Sequence, residues 1–479
     1  MRRAVTIGLH WSWVCLLLLQ LDLSSVSARV FEVENTNDSG IENGDVSLRA
    51  AIIKANRIGG DNLIILGGEE VNRGRQERKN LLKPVGRKFL LSLAGADEDA
   101  ARTGDLDIRR GRLTIVGVGS NVVIDASALG DRVFQVFSNA SLTLENLTIT
   151  GGRAPQAEEG SFYSYTLPAQ KGGGVYCEGQ LILKNCILTN NASGDGNFNP
   201  GNSGGRQGAS GGAIFNSGRL VMNDSVVAGN AAGVGVDWRD GGDGGAIFNE
   251  GTCSVTNSSF YENASGDGGE PGGNAFGAAG DGGNGGAIFN AGKMVLNHCT
   301  ISNNITGVGK NGSQPGSGSV GALPGAPGGK AGNGAGIFNG GELTLIFSSV
   351  TFNYCGYGGN GGQSFGVNGG RGGAGGSGAG IYNAGMAHVL GSMIRWNVCG
   401  DGGEGGRGYG YNSSAEGGNG GAGGSGGGVF TFKDASSNLV GTLIELNSAG
   451  KGGKEGSAYG GGADGNPGAD GVGPDIGGH

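Results

Sequence analysis

The sequence predicts an all-β solenoid of stacked coils, and three observations predict it. An aliphatic–aromatic pair followed by a fixed module recurs seven times, apolar residues alternate by two inside the module, and length varies only between modules, in glycine-rich segments. One module presents a single apolar face and cannot bury a core alone. Repetition at this period therefore means coils that cover one another.

The first element of each module is Val175-Tyr176-Cys177, Ile214-Phe215-Asn216, Ile247-Phe248-Asn249, Ile288-Phe289-Asn290, Ile337-Phe338-Asn339, Ile381-Tyr382-Asn383 and Val429-Phe430-Thr431. The second carries apolar pairs two residues apart, such as Leu181/Leu183, Leu220/Met222, Met294/Leu296 and Leu343/Leu345. The third pairs a small residue (Cys186, Ser225, Ser258, Cys299, Ser348, Ser392) with an apolar one two positions on (Leu188, Val227, Phe260, Ile301, Val350, Ile394). Alternation by two is the strand period, and the breaks in its phase are bends. Each coil is thus about three short strands, and in-register stacking sets equivalent residues about 4.8 Å apart.

That spacing gives the asparagines a role. Asn216, Asn249, Asn290, Asn339 and Asn383 form one column; Asn191, Asn230, Asn263, Asn304, Asn353 and Asn397 form another. An amide at a bend both donates and accepts, so a column of them can bond along the stack. The residue after each aliphatic is aromatic: Tyr176, Phe215, Phe248, Phe289, Phe338, Tyr382 and Phe430. Being out of phase with the inward aliphatic, these rings read as a ladder on the outer face, shielded by the glycine-rich loops. A stacking platform for sugars is the alternative.

Ladder intervals run from 33 residues (Asn216 to Asn249) to 49 (Asn290 to Asn339), so the inserts lie on one side of the stack. Their Gly-Gly-X triplets can line up there as packed polyglycine-type helices. Glycine supplies 111 of 479 residues, and most of it sits in these inserts. Four segments follow: 1–28 as a signal peptide, 29–110 as cap and first coils, 111–450 as repeats, and 451–479 as a glycine-rich tail.

The leader reading rests on Arg2 and Arg3, the apolar run from Trp13 to Leu21 and the small residues Val26 and Ala28 before a cleavage point. The run is too short to span a bilayer stably. The mature chain is therefore expected outside the cytoplasm, with no transmembrane span. The formal charge of −8 and the absence of basic clusters in the repeats argue against nucleic-acid partners. The most basic stretch, from Asn72 to Lys88, reads as a solvated loop. Six cysteines follow Cys15. Cys355 and Cys399 share a phase in consecutive coils, which makes them a candidate disulfide in an oxidising compartment.

Residues 45–56 read as a short helix with Asp45 as N-cap and Leu48, Ala51, Ile52 and Ala55 on one face. An open coil end exposes strand edges, and this helix is the candidate cover. Here the chain resembles secreted right-handed parallel β-helix proteins with an N-terminal Cys-Ser-Leu-Arg-Glu-Ala box. In this chain the box stands as Val46-Ser47-Leu48-Arg49-Ala50-Ala51, with Thr103-Gly104-Asp105-Leu106-Asp107-Ile108 and Asp131-Arg132-Val133-Phe134 further on. The Gly-Gly-Ala-Ile repeats with Phe260-Tyr261-Glu262-Asn263 are similar to those of chlamydial polymorphic outer-membrane proteins. The resemblance implies a right-handed parallel β-helix, secreted or surface-exposed; the reading as an adhesin or matrix component comes from the long surfaces that a repeat rod presents.

Such helices also host polysaccharide lyases and hydrolases, and fold alone does not give that chemistry. The residues offer little for it. The histidines His10, His298, His388 and His479 are scattered. The best acid clusters are Asp237, Asp240 and Asp243 with Arg239, and the loop-start acids Asp195, Asp267 and Asp401, no two of which fall in adjacent coils. Turn formation accounts for the latter. No catalytic, metal or cofactor set is assigned. Sequons at Asn139, Asn146, Asn263 and Asn412 matter only in a host that glycosylates. The reading is a non-catalytic surface or matrix protein whose partner is an extracellular polysaccharide or protein. A polysaccharide-binding or polysaccharide-degrading protein is the alternative.

Overall fold

The computed structural model describes residues 28–33, 35–40, 46–67, 87–95, 98–158, 167–197, 205–271, 277–314, 323–365, 367–410 and 414–478. The leader, Asp45, most of the basic stretch, Asn412 and His479 lie outside these residues.

The chain is a right-handed parallel β-helix. Three long sheets contain eleven, ten and ten strands, and every pairing between their neighbours is parallel. Register is strict. Ile214-Phe215-Asn216 pairs residue for residue with Ile247-Phe248-Asn249, and Arg219–Asn223 with Thr252–Thr256. Each strand sends alternate side chains inward, so Leu220, Met222, Val255, Leu296 and Leu345 are buried in one continuous core. The three-residue strands turn sharply at their ends. Two columns of left-handed residues make two of the corners, Asn185, Asp224, Asn257 and His298 in one and Asn190, Glu262 and Asn303 in the other.

The helix, α1, spans Leu48–Ile58. Its N-cap is Ser47, not Asp45: the Ser47 hydroxyl accepts the Ala50 N–H from an extended backbone, which is the geometry that ends a helix. Leu48, Ala51, Ile52 and Ala55 face the first coil and close the N-terminal end. Arg49 is buried too. It pairs with Asp38 at 2.7 Å and donates to the carbonyls of Ala101, Gly104 and Asp105, tying the helix to the first turns.

The glycine-rich inserts form arms built on a three-residue period. In the outgoing limb of one arm, the Gly358 and Gly361 N–H groups donate to Asp401 and Glu404 of the next coil, and those of Gly359 and Gly362 to Gly329 and Ala326 of the preceding coil. In the returning limb, Gly372 and Gly375 donate to Asn419 and Ala422 of the next coil, and Gly373 and Gly376 fold back on Gly359 and Gly356 of their own. Three residues per turn is the period of the extended left-handed helix. The arms are two layers of such helices, running oppositely and bonded throughout. Short strands at their tips, Ser364–Phe365, Gly408–Tyr409 and Ala458–Tyr459, add a fourth sheet.

Residues 451–478 add one more limb pair to the arms, and Ile476–Gly478 pairs with Val429–Thr431. The segment read as a glycine-rich tail thus continues the stack.

Candidate functional surface

Both asparagine columns are buried and hydrogen-bonded along the axis. Asn216 Nδ2 donates to Asn249 Oδ1 at 2.7 Å, and the same bond runs from Asn249 to Asn290, Asn339 and Asn383 at 2.8 Å. The column opens at Asn216, whose Oδ1 has no hydrogen-bond partner because the coil before carries Cys177. In the second column, from Asn230 onward, each Oδ1 accepts twice from the preceding coil, from the backbone N–H and from Nδ2, as Asn353 does from Asn304. This column links Asn191, Asn230, Asn263, Asn304, Asn353 and Asn397, then continues to Asn447 and ends on the Asp475 carboxylate. Apart from Asn216 Oδ1, the amides of both ladders are spent inside the stack.

The seven outer rings form one column. Tyr176, Phe215, Phe248, Phe289, Phe338, Tyr382 and Phe430 stack with centroids 4.7–5.5 Å apart and nearly parallel planes. The Arg132 guanidinium lies over Tyr176 and the Lys171 ammonium over Phe215. Glycines at the roots of the arms press on this column; a Cβ at Gly378 would stand 2.7 Å from Tyr382 Cα. A pyranose stacks on a ring face, and here neighbouring rings occupy the faces. The platform alternative finds no support in this column.

Five of the six acids singled out for catalysis are engaged by backbone, and the sixth, Asp237, is buried. Asp195 accepts the Val234 N–H, Asp267 that of Val308 and Asp401 that of Lys451, each across to the next coil. Asp240 accepts from Asp281, and Asp243 from Asn284. One rule covers them all. In a Gly-Gly-X triplet the two glycine N–H groups meet carbonyls, and the X N–H meets the side chain of the preceding X. Neutral X residues obey it as well, as Asn360 does toward Glu404. Burial pushes Asp243 up to about 6 and raises Asp281. Arg239 donates to the Gly205 carbonyl rather than to any of these acids. Among the described residues no group of three or more His, Cys, Asp or Glu is placed to hold a metal.

Cys355 and Cys399 sit in adjacent coils, but both are free thiols. In a parallel in-register stack the two side chains point the same way, and each thiol turns to a carbonyl instead, Cys355 to Ser377 and Cys399 to Ser425. Burial raises both pKa values, that of Cys399 to about 11.

Buried charge gathers where the cap meets the coils. Asp105, Asp107, Asp131 and Arg132 are all buried, and Arg132 lies 3.6 Å from Asp105. Burial and the neighbouring Asp107 push Asp105 well above the usual carboxylate range, and burial lifts Asp107 to about 7. Asp107 Oδ2 accepts the Ala101 N–H while Oδ1 has no hydrogen-bond partner. The cluster is enclosed and braces the junction.

Two exposed features lie together at one corner of the stack. A cleft of about 360 Å³ lies where the arms leave the coil, lined by Arg153, Gln156, Ala192, Asp195, Ala231 and Val234. Further along the same corner four aromatics reach solvent: Phe352, Tyr354, Tyr357 and Trp396. No sequence pattern marked them, because their positions hold residues of no constant type in other coils.

No protein-family model and no curated protein matches the chain. Among solved structures it is similar to pectate lyase Pel9A, at 12% identity and a TM-score of 0.32 over 88% of this chain and 80% of that one. It is also similar to the A-module of the Azotobacter vinelandii mannuronan C-5 epimerase AlgE4, at 14% identity and a TM-score of 0.21 over 84% and 93%. Values this low carry nothing about chemistry.

Proposed function

We propose that this chain is a secreted, non-catalytic surface or matrix protein, a stiff rod that displays its long sides to extracellular partners. One observation carries the reading: of the six carboxylates that sequence offered for chemistry, Asp195, Asp240, Asp243, Asp267 and Asp401 are each held by a backbone N–H of the next coil. The Asn columns and the bonded arms support it, since both join successive coils into one body suited to presenting extended surfaces. The resemblance of the 46–51 box to secreted β-helix proteins, and the leader pattern at 1–28, support export. Among the described residues no helix is long and apolar enough to cross a membrane.

The test is incubation of the mature chain with a panel of polysaccharides and Ca²⁺, following unsaturated and reducing-end products. The expected result is no product. Steady release from any substrate overturns the reading and directs attention to Asp237, Asp240 and Arg239. Polysaccharide binding without cleavage is a second reading, favoured by the exposed aromatics at the arm corner.

A further inference from the structure

The corner where the arms leave the coil carries two parallel columns. Arg153, Ala192, Ala231, Ala264, Ile305, Tyr354, Val398 and Ser448 form one, each bridged to the next in parallel. Asp195, Val234, Asp267, Val308, Tyr357, Asp401 and Lys451 form the other, joined by the triplet bonds of the arms. The cleft is the stretch of this corner where both columns are short, at Ala192, Ala231 and Val234. Three coils beyond Ala231, about 14 Å at the strand spacing, the same columns carry Tyr354 and Tyr357, which are 43% and 61% exposed.

These tyrosines differ from the seven-ring ladder. Among the described residues no ring stacks on either. Beside them Phe352 and Trp396 stack on each other at 4.9 Å and present their edges, with the Arg395 guanidinium 4.1 Å from the Trp396 centroid. Both rings sit on left-handed backbone, φ 56° and 55°, where Asn190, Gly229, Glu262 and Asn303 stand in earlier coils. Bulky residues in that region are strained by about 1–3 kcal/mol, and such strain clusters at functional positions. Beside the tyrosines Arg395 pairs with Glu445 at 2.8 Å and Lys310 with Asp267 at 3.0 Å, and the cleft lining adds one charge of each sign, Arg153 and Asp195. A corner with balanced charge, equal steps along an axis and tyrosine hydroxyls matches an uncharged polymer of equal units better than a polyanion.

We propose that this corner binds a linear, uncharged polysaccharide lying along the coil axis, from the Ala192–Ala231 cleft to Tyr354 and Tyr357. The proposal rests on the second reading above and names its site. Rings with open faces supply C–H/π contact at low entropic cost, and their hydroxyls bond sugar hydroxyls. Gln156 and Arg153 do the latter at the cleft.

The test is affinity electrophoresis of the full mature chain through soluble xyloglucan, mixed-linkage β-glucan and galactomannan, with polygalacturonate and alginate beside them. The wild type is expected to be retarded by at least one neutral polymer. The Tyr354→Ala/Tyr357→Ala double variant should weaken retardation tenfold or more with an unchanged melting temperature, because both side chains are exposed. Ala231→Trp, which fills the cleft, should weaken it independently. Retardation by the acidic polymers alone, by none, or equally in all variants overturns the proposal. Recognition of a protein in place of any glycan overturns it too. Product release is scored separately and bears on the non-catalytic reading, not on this site.

Discussion

The coil body and the glycine arms share one stacking register but reach it by opposite means. In the body, Leu220, Leu296 and Leu345 fill a core and asparagine side chains bond along the axis. In the arms nearly every inward position is glycine, and backbone-to-backbone bonds supply most of what joins the limbs. A Cβ built at Gly421 would stand 1.8 Å from the Gly373 carbonyl oxygen. Cohesion by side chains tolerates modest changes of size and fails gradually. Cohesion by bare backbone admits no side chain at all.

The sharpest way to break this comparison is Gly421→Ala. One methyl group must force a pair of bonded limbs apart, and the expected cost is about 5 kcal/mol, beyond the usual range for a point change. Limited proteolysis should show cleavage in the arms while far-ultraviolet circular dichroism keeps the β signal. Gly441→Asn is the control: nothing lies within 4 Å of its Cβ, and asparagine tolerates its φ of +59°. In the body, Leu345→Ala should cost about 2–5 kcal/mol by opening a cavity, with urea unfolding still in one step. Next comes Asn304→Ala. It leaves the amide of Asn263 without its acceptor and the carbonyls of Phe260 and Ser302 without a donor. A loss of about 3 kcal/mol is expected from the orphaned groups, and a smaller one for Asn216→Ala, which opens the other ladder and accepts no amide from a preceding coil.

The smallest effect is at the cap. A carboxyl whose pKa is raised on folding holds its proton more tightly in the folded state. Its stability contribution is therefore greatest near pH 4 and declines as pH climbs to about 7, the value for Asp107. Asp107→Asn keeps an acceptor for the Ala101 N–H and carries no charge. It should raise stability at pH 8 by about 1–2 kcal/mol and reduce the slope between pH 5 and 8. Urea midpoints across that range would show an unchanged slope if Asp107 does not titrate there.

The body is legible in sequence because its side chains are its cohesion. Inward aliphatics, ring columns and asparagines each leave a residue type at a fixed phase. The arms are legible only as composition. Which glycine meets which carbonyl depends on backbone geometry, and a glycine does not say where its N–H points. For the same reason Asp195, Asp267 and Asp401 read as turn formers, while their partners are N–H groups one coil away. Asn447 and Asp475 close the long ladder but follow a module that ends in Thr431 rather than Asn, so the pattern is lost there. The Cys355–Cys399 pairing fails on side-chain direction, which phase alone does not give. The exposed corner leaves no periodic trace, since Tyr354 and Tyr357 sit in columns whose residue type changes from coil to coil.

The three-residue period of the arms sets a unit of change for the gene. Loss or gain of a single residue in one limb rotates every later glycine away from its neighbour and places a side chain where only hydrogen fits. A triplet removed from the outgoing limb together with one from the return shortens the arm and keeps each bond that remains. Arms can therefore grow or shrink in paired triplets while the coil beneath stays as it is, and reach into the surroundings becomes adjustable independently of the fold.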